Sequence, residues 1–489
     1  MKGRSTLLGS GFGAGRRFGR RTLFSTGLAV GGLAAAAGVA GCAQVRPTAA
    51  ARPSPSPPTT VLLASIPFQG NGNYQGTMQQ LMEEFIDENW TAKHPGVVVK
   101  TQAGSGANGT NTGSSTLTVA ALAGQTTPDT LCGCCNDLPT YLAANMLMPL
   151  DPLLKQYNVD VSNFSPGHMA ALQWNSQQMA LPQYDGPEVL VYNEGALDQL
   201  GVSYPSDGWT YEEASSLWQS CASDKNGKRI YGVGLDTGDP EWLVHAFGGL
   251  IGNADGTQAL LDSAPNAAAY TWLYGLLSNG VASGNGYGSV QSGQQAFAVA
   301  GGWDIQSIAL AFRSLKWNFI GMPTFPSGKA STFINNDFNA INAFSKNPID
   351  LVWDLFSFIT IDTQMQYFQY KTTFITPNQI NLWPAWIQLI TAEAPPLKSK
   401  NLTAYQDAVS YGWSTYFFKY APLQANAVEG NWLGQITSGK VTAEVGLRQA
   451  NTQINGMQAE GAAMAKSAGS AAAHFPTQGA AVAPVVAGV

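Results

Sequence analysis

An α/β protein of two lobes is the fold class the sequence predicts. Two observations carry that prediction. Strand-like and helix-like patterns alternate from residue 61 to residue 131. About 400 residues lie between low-complexity ends, too many for one compact core and enough for two of ordinary size.

The apolar run 61–68 reads as a strand, and Gln69-Gly70-Asn71-Gly72-Asn73-Tyr74 as the loop after it. Met78, Leu81, Met82, Phe85 and Ile86 then recur at helical spacing. Pro95-Gly96 ends that pattern, and Val97-Val98-Val99 opens a second strand. A Gly/Ser/Asn/Thr loop over 104–115 leads into an Ala-rich helix over 117–123, and Pro128-Asp129-Thr130-Leu131 enters a third strand. This order implies a largely parallel sheet covered by helices on both faces, with any ligand in the crevice beyond the strands' carboxyl ends.

The ends of the chain read differently. Arg16, Arg17, Arg20 and Arg21 form a basic head before an apolar Gly/Ala-rich stretch that ends in Val39-Ala40-Gly41-Cys42. Charge, apolar segment and small residues in that order predict an export signal over 1–41 rather than a membrane span. The last four residues have the pattern of a lipobox, so Cys42 is the expected lipidation site and mature N-terminus. Arg20-Arg21-Thr22-Leu23-Phe24 also resembles a twin-arginine signal, which leaves the Sec and Tat routes both open. Residues 42–60, with Ser54-Pro55-Ser56-Pro57-Pro58, have too few large apolar side chains to fold and read as a stalk above a membrane. Residues 461–489, rich in Ala, Gly and Val, read as a low-complexity tail.

Composition excludes some function classes. The net charge of −6 with 11% charged residues argues against a nucleic-acid partner, since such proteins concentrate Lys and Arg. The 13 Trp, 17 Tyr and 21 Phe, beside so little charge, suit a neutral polyhydroxylated ligand whose C–H faces pack on rings. The four histidines, His94, His168, His245 and His474, show no metal-ligand spacing, and neither a nucleophile elbow nor a phosphate loop is present. No cofactor or metal is expected. Cys132-Gly133-Cys134-Cys135 contains a Cys-x-x-Cys pair after a strand, which is physically compatible with redox work. Export favours a structural disulfide instead, with Cys132, Cys134, Cys135 and Cys221 as candidates and the pairing open.

A family resemblance appears along most of the chain. Pro128-Asp129 and the run from Leu142 to Asp151 resemble the first lobe of extracellular solute-binding proteins of ABC importers, in particular the sugar-binding, maltose-binding-protein-like family. Leu181-Pro182-Gln183-Tyr184, Val189 to Asn193, Trp209-Thr210-Tyr211-Glu212-Glu213, Ile230-Tyr231-Gly232, Phe247-Gly248-Gly249, Asn253-Ala254-Asp255-Gly256, Ala300-Gly301-Gly302-Trp303, Gly439 to Glu444 and Ile454-Asn455 follow in that family's order.

The resemblance implies a type II periplasmic-binding-protein-like fold, with two lobes, a hinge and an interlobe ligand cleft. It places lobe one at 61–183 plus 298–342 and lobe two at 184–297 plus 343–460. It also implies a monomer that performs no chemistry, captures a mono- or oligosaccharide and delivers it to ABC permease subunits from the extracytoplasmic face of the cell membrane. The cleft residues it suggests are Asn71, Asn73, Asn136, Asp137, Tyr184, Asp185 and Trp303, with Trp242 and Trp383 added from segments lining the second lobe. Each has a plainer reading, as a loop cap for Asn or Asp and as core for Trp. Two other functions compete. A cell-surface glycoside hydrolase would need paired carboxylates, for which Asp137 and Asp185 are the nominees. A structural or adhesive lipoprotein would fit the low charge and polar loops.

Overall fold

The structure, a computed structural model, describes residues 60–66, 75–103, 112–134, 137–225, 227–235, 241–284 and 286–467. The export signal, Cys42, stalk residues 43–59, Asn71, Asn73, Cys135, Asn136 and residues 468–489 lie outside them, and Thr60, expected to end the stalk, opens the first strand instead.

Two sheets organise the chain. The first has five strands in the order Val97–Ala103, Thr60–Ile66, Thr130–Gly133, Phe338–Ile341, Leu181–Pro182. Its first three strands run parallel, and Phe338–Ile341 is antiparallel to both of its neighbours. The pleat sorts the side chains, since successive residues point to opposite faces. Phe338 and Ala340 pack with Leu131, Leu138 and Tyr141, whereas Ile341 faces Leu62, Ala64, Met82 and Ile86. Met82 and Ile86 belong to the Gln75–Asn89 helix, in the phase their spacing predicts.

The second sheet runs Ala282–Ser283, Lys228–Gly234, Gln295–Gly301, Glu188–Asn193, Trp317–Ile320, with Ser223–Lys225 paired on Lys228–Gly234. Leu190, Tyr192 and Phe297 face one apolar cluster, and Val189, Val191 and Ala298 face another. The Tyr211–Cys221 helix covers the first of these faces through Ala214 and Trp218. Its start explains the Thr-x-x-Glu in the sequence: Thr210 Oγ1 accepts from the Glu213 N–H while Glu213 accepts from the Thr210 N–H, a capping box.

Three expectations are corrected. Gln295–Gly301 and Trp317–Ile320 belong to the second sheet, so only Phe338–Ile341 of the expected return at 298–342 joins the first. Gln295–Gly301 is held there by pairing with strands on both sides. The Ile349–Thr360 helix, expected in lobe two, packs Val352, Leu355, Phe356 and Ile359 against Leu62 and Ile341 of the first sheet. Residues 461–467, expected in the tail, continue the Ala443–Ser467 helix, where their alanines favour helix.

Three segments pass between the sheets and are bonded to one another. Residues 183–187 leave the first sheet, 334–337 return to it, and 374–379 lead to the Trp383–Glu393 helix beneath the second. The Gln183 N–H donates to the Asp337 carbonyl at 2.9 Å, and the Asn335 N–H to the Gly186 carbonyl at 3.1 Å. The Asp185 N–H donates to the Pro377 carbonyl at 3.1 Å, and the Thr376 hydroxyl donates to the Asp185 carbonyl.

Candidate functional site

The crossings adjoin the carboxyl ends of the first sheet's parallel strands, where ligands of such sheets gather. Gly133 ends its strand beside Phe338 and Asp137, the first residue of the Asp137–Ala143 helix. Asp137 is fully buried and its Oδ2 accepts from the Cys134 N–H at 2.9 Å, the capping role its plainer reading gave it.

Tyr184 and Asp185 are also buried. The Tyr184 hydroxyl hydrogen-bonds Asp337, whose carboxyl burial pushes up to about 6, with Tyr184, His168 and Asn335 countering. His168 Nδ1 lies 2.9 Å from Asp185 Oδ1, with both side chains wholly out of solvent. Burial raises the Asp185 pKa, and the His168 contact opposes that rise. Asn335 Oδ1 accepts from the Gly186 N–H at 2.7 Å. The structure thus gathers His168, Tyr184, Asp185, Asn335 and Asp337 into one buried polar cluster that fastens the crossings to the first lobe.

Trp303 stands at the second lobe's edge of this junction. The Gly302 N–H donates to the Pro187 carbonyl at 3.1 Å, which sets the segment against the first crossing. The indole folds back over Gly301 so closely that a Cβ there would overlap the ring, so the glycine before Trp303 has a steric cause. Trp303 touches both apolar clusters of the second lobe yet stays partly exposed.

Trp242 and Trp383 are core side chains, which corrects their nomination as cleft residues. Trp383 is fully buried with its ring edge-on to Trp386, at 5.1 Å between centroids, and Trp242 packs edge-on to Phe325. Neither presents a face to a ligand in this conformation.

A second partly exposed indole, Trp413, was not foreseen. It lies in a two-residue strand paired with Thr332–Phe333, and its carbonyl accepts from the Ile334 N–H at 2.9 Å. Gly412 beside it approaches Gly167 in the first lobe's Pro166–Ala171 helix, and the Ser414 hydroxyl donates to the Ile334 carbonyl at 2.9 Å. Trp413 therefore sits at the junction, stacked on His245. Its pairing is too short to leave a periodic trace in sequence. Asn335-Asn336-Asp337, a polar run directly before an apolar strand, is the signal that would have pointed to Asp337.

Among the described residues no disulfide joins the candidate cysteines Cys132, Cys134 and Cys221. Cys221 is a free thiol buried in the second lobe's core, pushed up to about 11 by burial. Cys132, 3.5 Å from Ser65 Oγ, is pushed up to about 12, also chiefly by burial. A thiol held protonated in this way is the opposite of a redox nucleophile. Among the described residues no group of acidic, His and Cys side chains is arranged to hold a metal, and no helix is long and apolar enough to cross a membrane.

Solved structures share this architecture. An ABC substrate-binding protein from Listeria monocytogenes, in complex with cycloalternan, matches with TM-score 0.67 at 19% identity, over 82% of this chain and 99% of that one. The sugar-binding protein MalE from Xanthomonas citri matches with TM-score 0.66 at 16% identity, over 83% and 98%. A cyclic α-maltosyl-1,6-maltose binding protein from Arthrobacter globiformis matches with TM-score 0.65 at 16% identity, over 83% and 100%. The fold is therefore the type II periplasmic-binding-protein-like one, with two lobes and a cleft between them. No curated protein sequence matches the chain. A family model for bacterial extracellular solute-binding proteins matches residues 71–366, more than half of the length, and the chain belongs to that family.

Proposed function

We propose that this protein is a lipid-anchored receptor that captures a mono- or oligosaccharide between its lobes and hands it to the permease subunits of an ABC importer. The observation that carries the reading is the Trp303 indole, folded over Gly301 and partly exposed where the second lobe meets the crossings. An indole face matches the C–H face of a sugar ring, and burial of both is the usual source of such affinity. Solved structures of the same fold contain cycloalternan, α-D-tagatose, acarbose and maltotriose. The protein acts by binding rather than by chemistry. A hydrolase would need two carboxylates facing a substrate. The two nominated for that task, Asp137 and Asp185, are buried and engaged with Cys134 and His168.

The test is a panel of those four sugars, read first by thermal shift, since a bound ligand stabilises by mass action. Trp303→Ala is expected to weaken binding of the responding sugar by about tenfold or more, because an aromatic hot spot is worth roughly 2 kcal/mol. Titration calorimetry beside a melting curve reads it. Unchanged affinity with a sharply lowered melting temperature would place Trp303 in the core and remove the main support for the reading.

Anchoring rests on Cys42 behind the charged apolar leader. Cys42→Ser is expected to leave the precursor uncleaved or to release the protein into the medium. Fractionation and mass spectrometry of the N-terminus decide between these results, and unchanged processing with unchanged membrane retention overturns the anchor. The stalk then holds the receptor close to the permease, and the closed lobes form the surface that the permease reads.

A further inference from the structure

The imidazole of His245 lies flat against the Trp413 indole, with ring centroids 3.6 Å apart and planes 13° from parallel. The backing ring is itself firmly placed. His245 lies in the Glu241–Ala246 helix, whose Trp242, Leu243, Val244 and Ala246 are in the second lobe's core. The chain leaves the helix through Gly248 at φ +82°, a backbone that favours glycine. That turn brings the Gly249 N–H to the Val244 carbonyl at 2.9 Å and allows a hydrogen bond between the imidazole and the Gly249 backbone. Asn266 fixes the following loop through its Nδ2, which donates to the carbonyls of Leu250, Leu260 and Leu261. Burial pushes the His245 pKa down to about 4, so the ring is neutral at neutral pH.

Trp413 is anchored more lightly, by its two-residue strand. With one indole face covered by His245, the other face and the edges of this half-buried residue are what is left to meet a ligand. Its chain neighbours Gly412 and Ser414 reach the first lobe's Gly167 and the crossing carbonyl of Ile334, so that open surface is at the interlobe junction.

We propose that His245 is a positioning residue of the binding site, holding the Trp413 indole as a flat, uncharged platform on which a ring of the carbohydrate ligand stacks. The proposal rests on the carbohydrate reading above and adds a specific device to it. An indole fixed before binding loses less rotamer freedom when a sugar docks, and that preorganisation appears as affinity. A neutral partner leaves the electron-rich face of the indole available, whereas an imidazolium would draw density from it.

The experiment compares His245→Ala with His245→Phe in the full chain, using maltotriose, cycloalternan, acarbose and α-D-tagatose as probes. His245→Ala is expected to weaken the responding sugar by about fivefold or more, and His245→Phe, which keeps a flat ring, to restore most of the loss. The indole N–H resonance of Trp413, assigned from Trp413→Phe, gives a readout without ligand: it should shift and broaden in the Ala variant and sharpen again in the Phe variant. Wild-type affinity in His245→Ala overturns the proposal. If none of the four sugars binds the wild-type protein, the carbohydrate reading fails separately. The indole resonance then decides the positioning role, and an unchanged signal in His245→Ala sinks it.

Discussion

His168→Ala is expected to destabilise the protein by about 3 kcal/mol, because it leaves the fully buried Asp185 carboxyl without its hydrogen-bond partner. His168 Nδ1 and Asp185 Oδ1 are 2.9 Å apart with no solvent access. Without the imidazole, Asp185 remains in a low-dielectric site that also contains the Asp337 carboxyl. Asp185 cannot move away, because its N–H is bonded to the Pro377 carbonyl and its own carbonyl accepts from Thr376. Urea denaturation at neutral pH measures the loss. The pH dependence has a definite sign. Burial raises the folded-state pKa of Asp185, so the native state of the variant binds the proton more tightly than the unfolded chain does. The variant's stability therefore falls as pH rises from the unfolded carboxyl pKa through the raised folded one. The double variant His168→Leu/Asp185→Leu should recover much of the loss, since apolar replacement of a whole buried pair is often neutral. An unchanged urea midpoint in His168→Ala would mean the pair contributes nothing.

Trp383→Ala is expected to cost a similar amount, about 3–5 kcal/mol, by opening a cavity in the second lobe's core. The ring is fully buried against Trp386 and shares its cluster with Tyr184, Val191 and Ile305. Sugar affinity of the folded fraction should be unchanged, the reverse of the result expected for Trp303→Ala. Melting curves and calorimetry on the two variants together separate a core indole from a binding one. A tenfold loss of affinity in Trp383→Ala with a wild-type melting temperature would return Trp383 to the cleft.

The contrast between these indoles shows what the sequence could and could not reveal. Strand, helix and strand over 61–131 were legible because their apolar residues repeat at the period of the element and turn residues bound them. The capping box of Thr210 and Glu213 is a local device, and its Thr-x-x-Glu pattern could have marked a helix start from the sequence alone. The glycine at 301 answers a close approach that the structure shows, the Trp303 indole lying against it. Nothing local distinguishes Trp383 from Trp413, since exposure depends on which distant element covers each ring. His168 was weighed only for metal spacing, and its partner Asp185 lies beyond the reach of helical or strand periodicity. The return of the chain to the first sheet was placed too early for the same reason. Phe297 and Phe338 each lie in a largely apolar strand, and only the pairing partners tell the two sheets apart.

The antiparallel strand inserted in the first sheet has a consequence for how the molecule is made. Asn339 pairs with Cys132, so the slot between Thr130–Gly133 and Leu181–Pro182 is filled by chain synthesised about 200 residues later. The ribosome delivers the entire second sheet before that slot can close. A nascent chain ending near residue 320 would carry a first lobe with two open strand edges, Thr130–Gly133 and Leu181–Pro182, each able to pair with another chain. Because the last contacts to form are also among the most distant in sequence, completion of the first lobe should be the slow step of folding. An amino-terminal fragment would then aggregate, whereas one extended through Ser467 supplies both the missing strand and the helices that cover it.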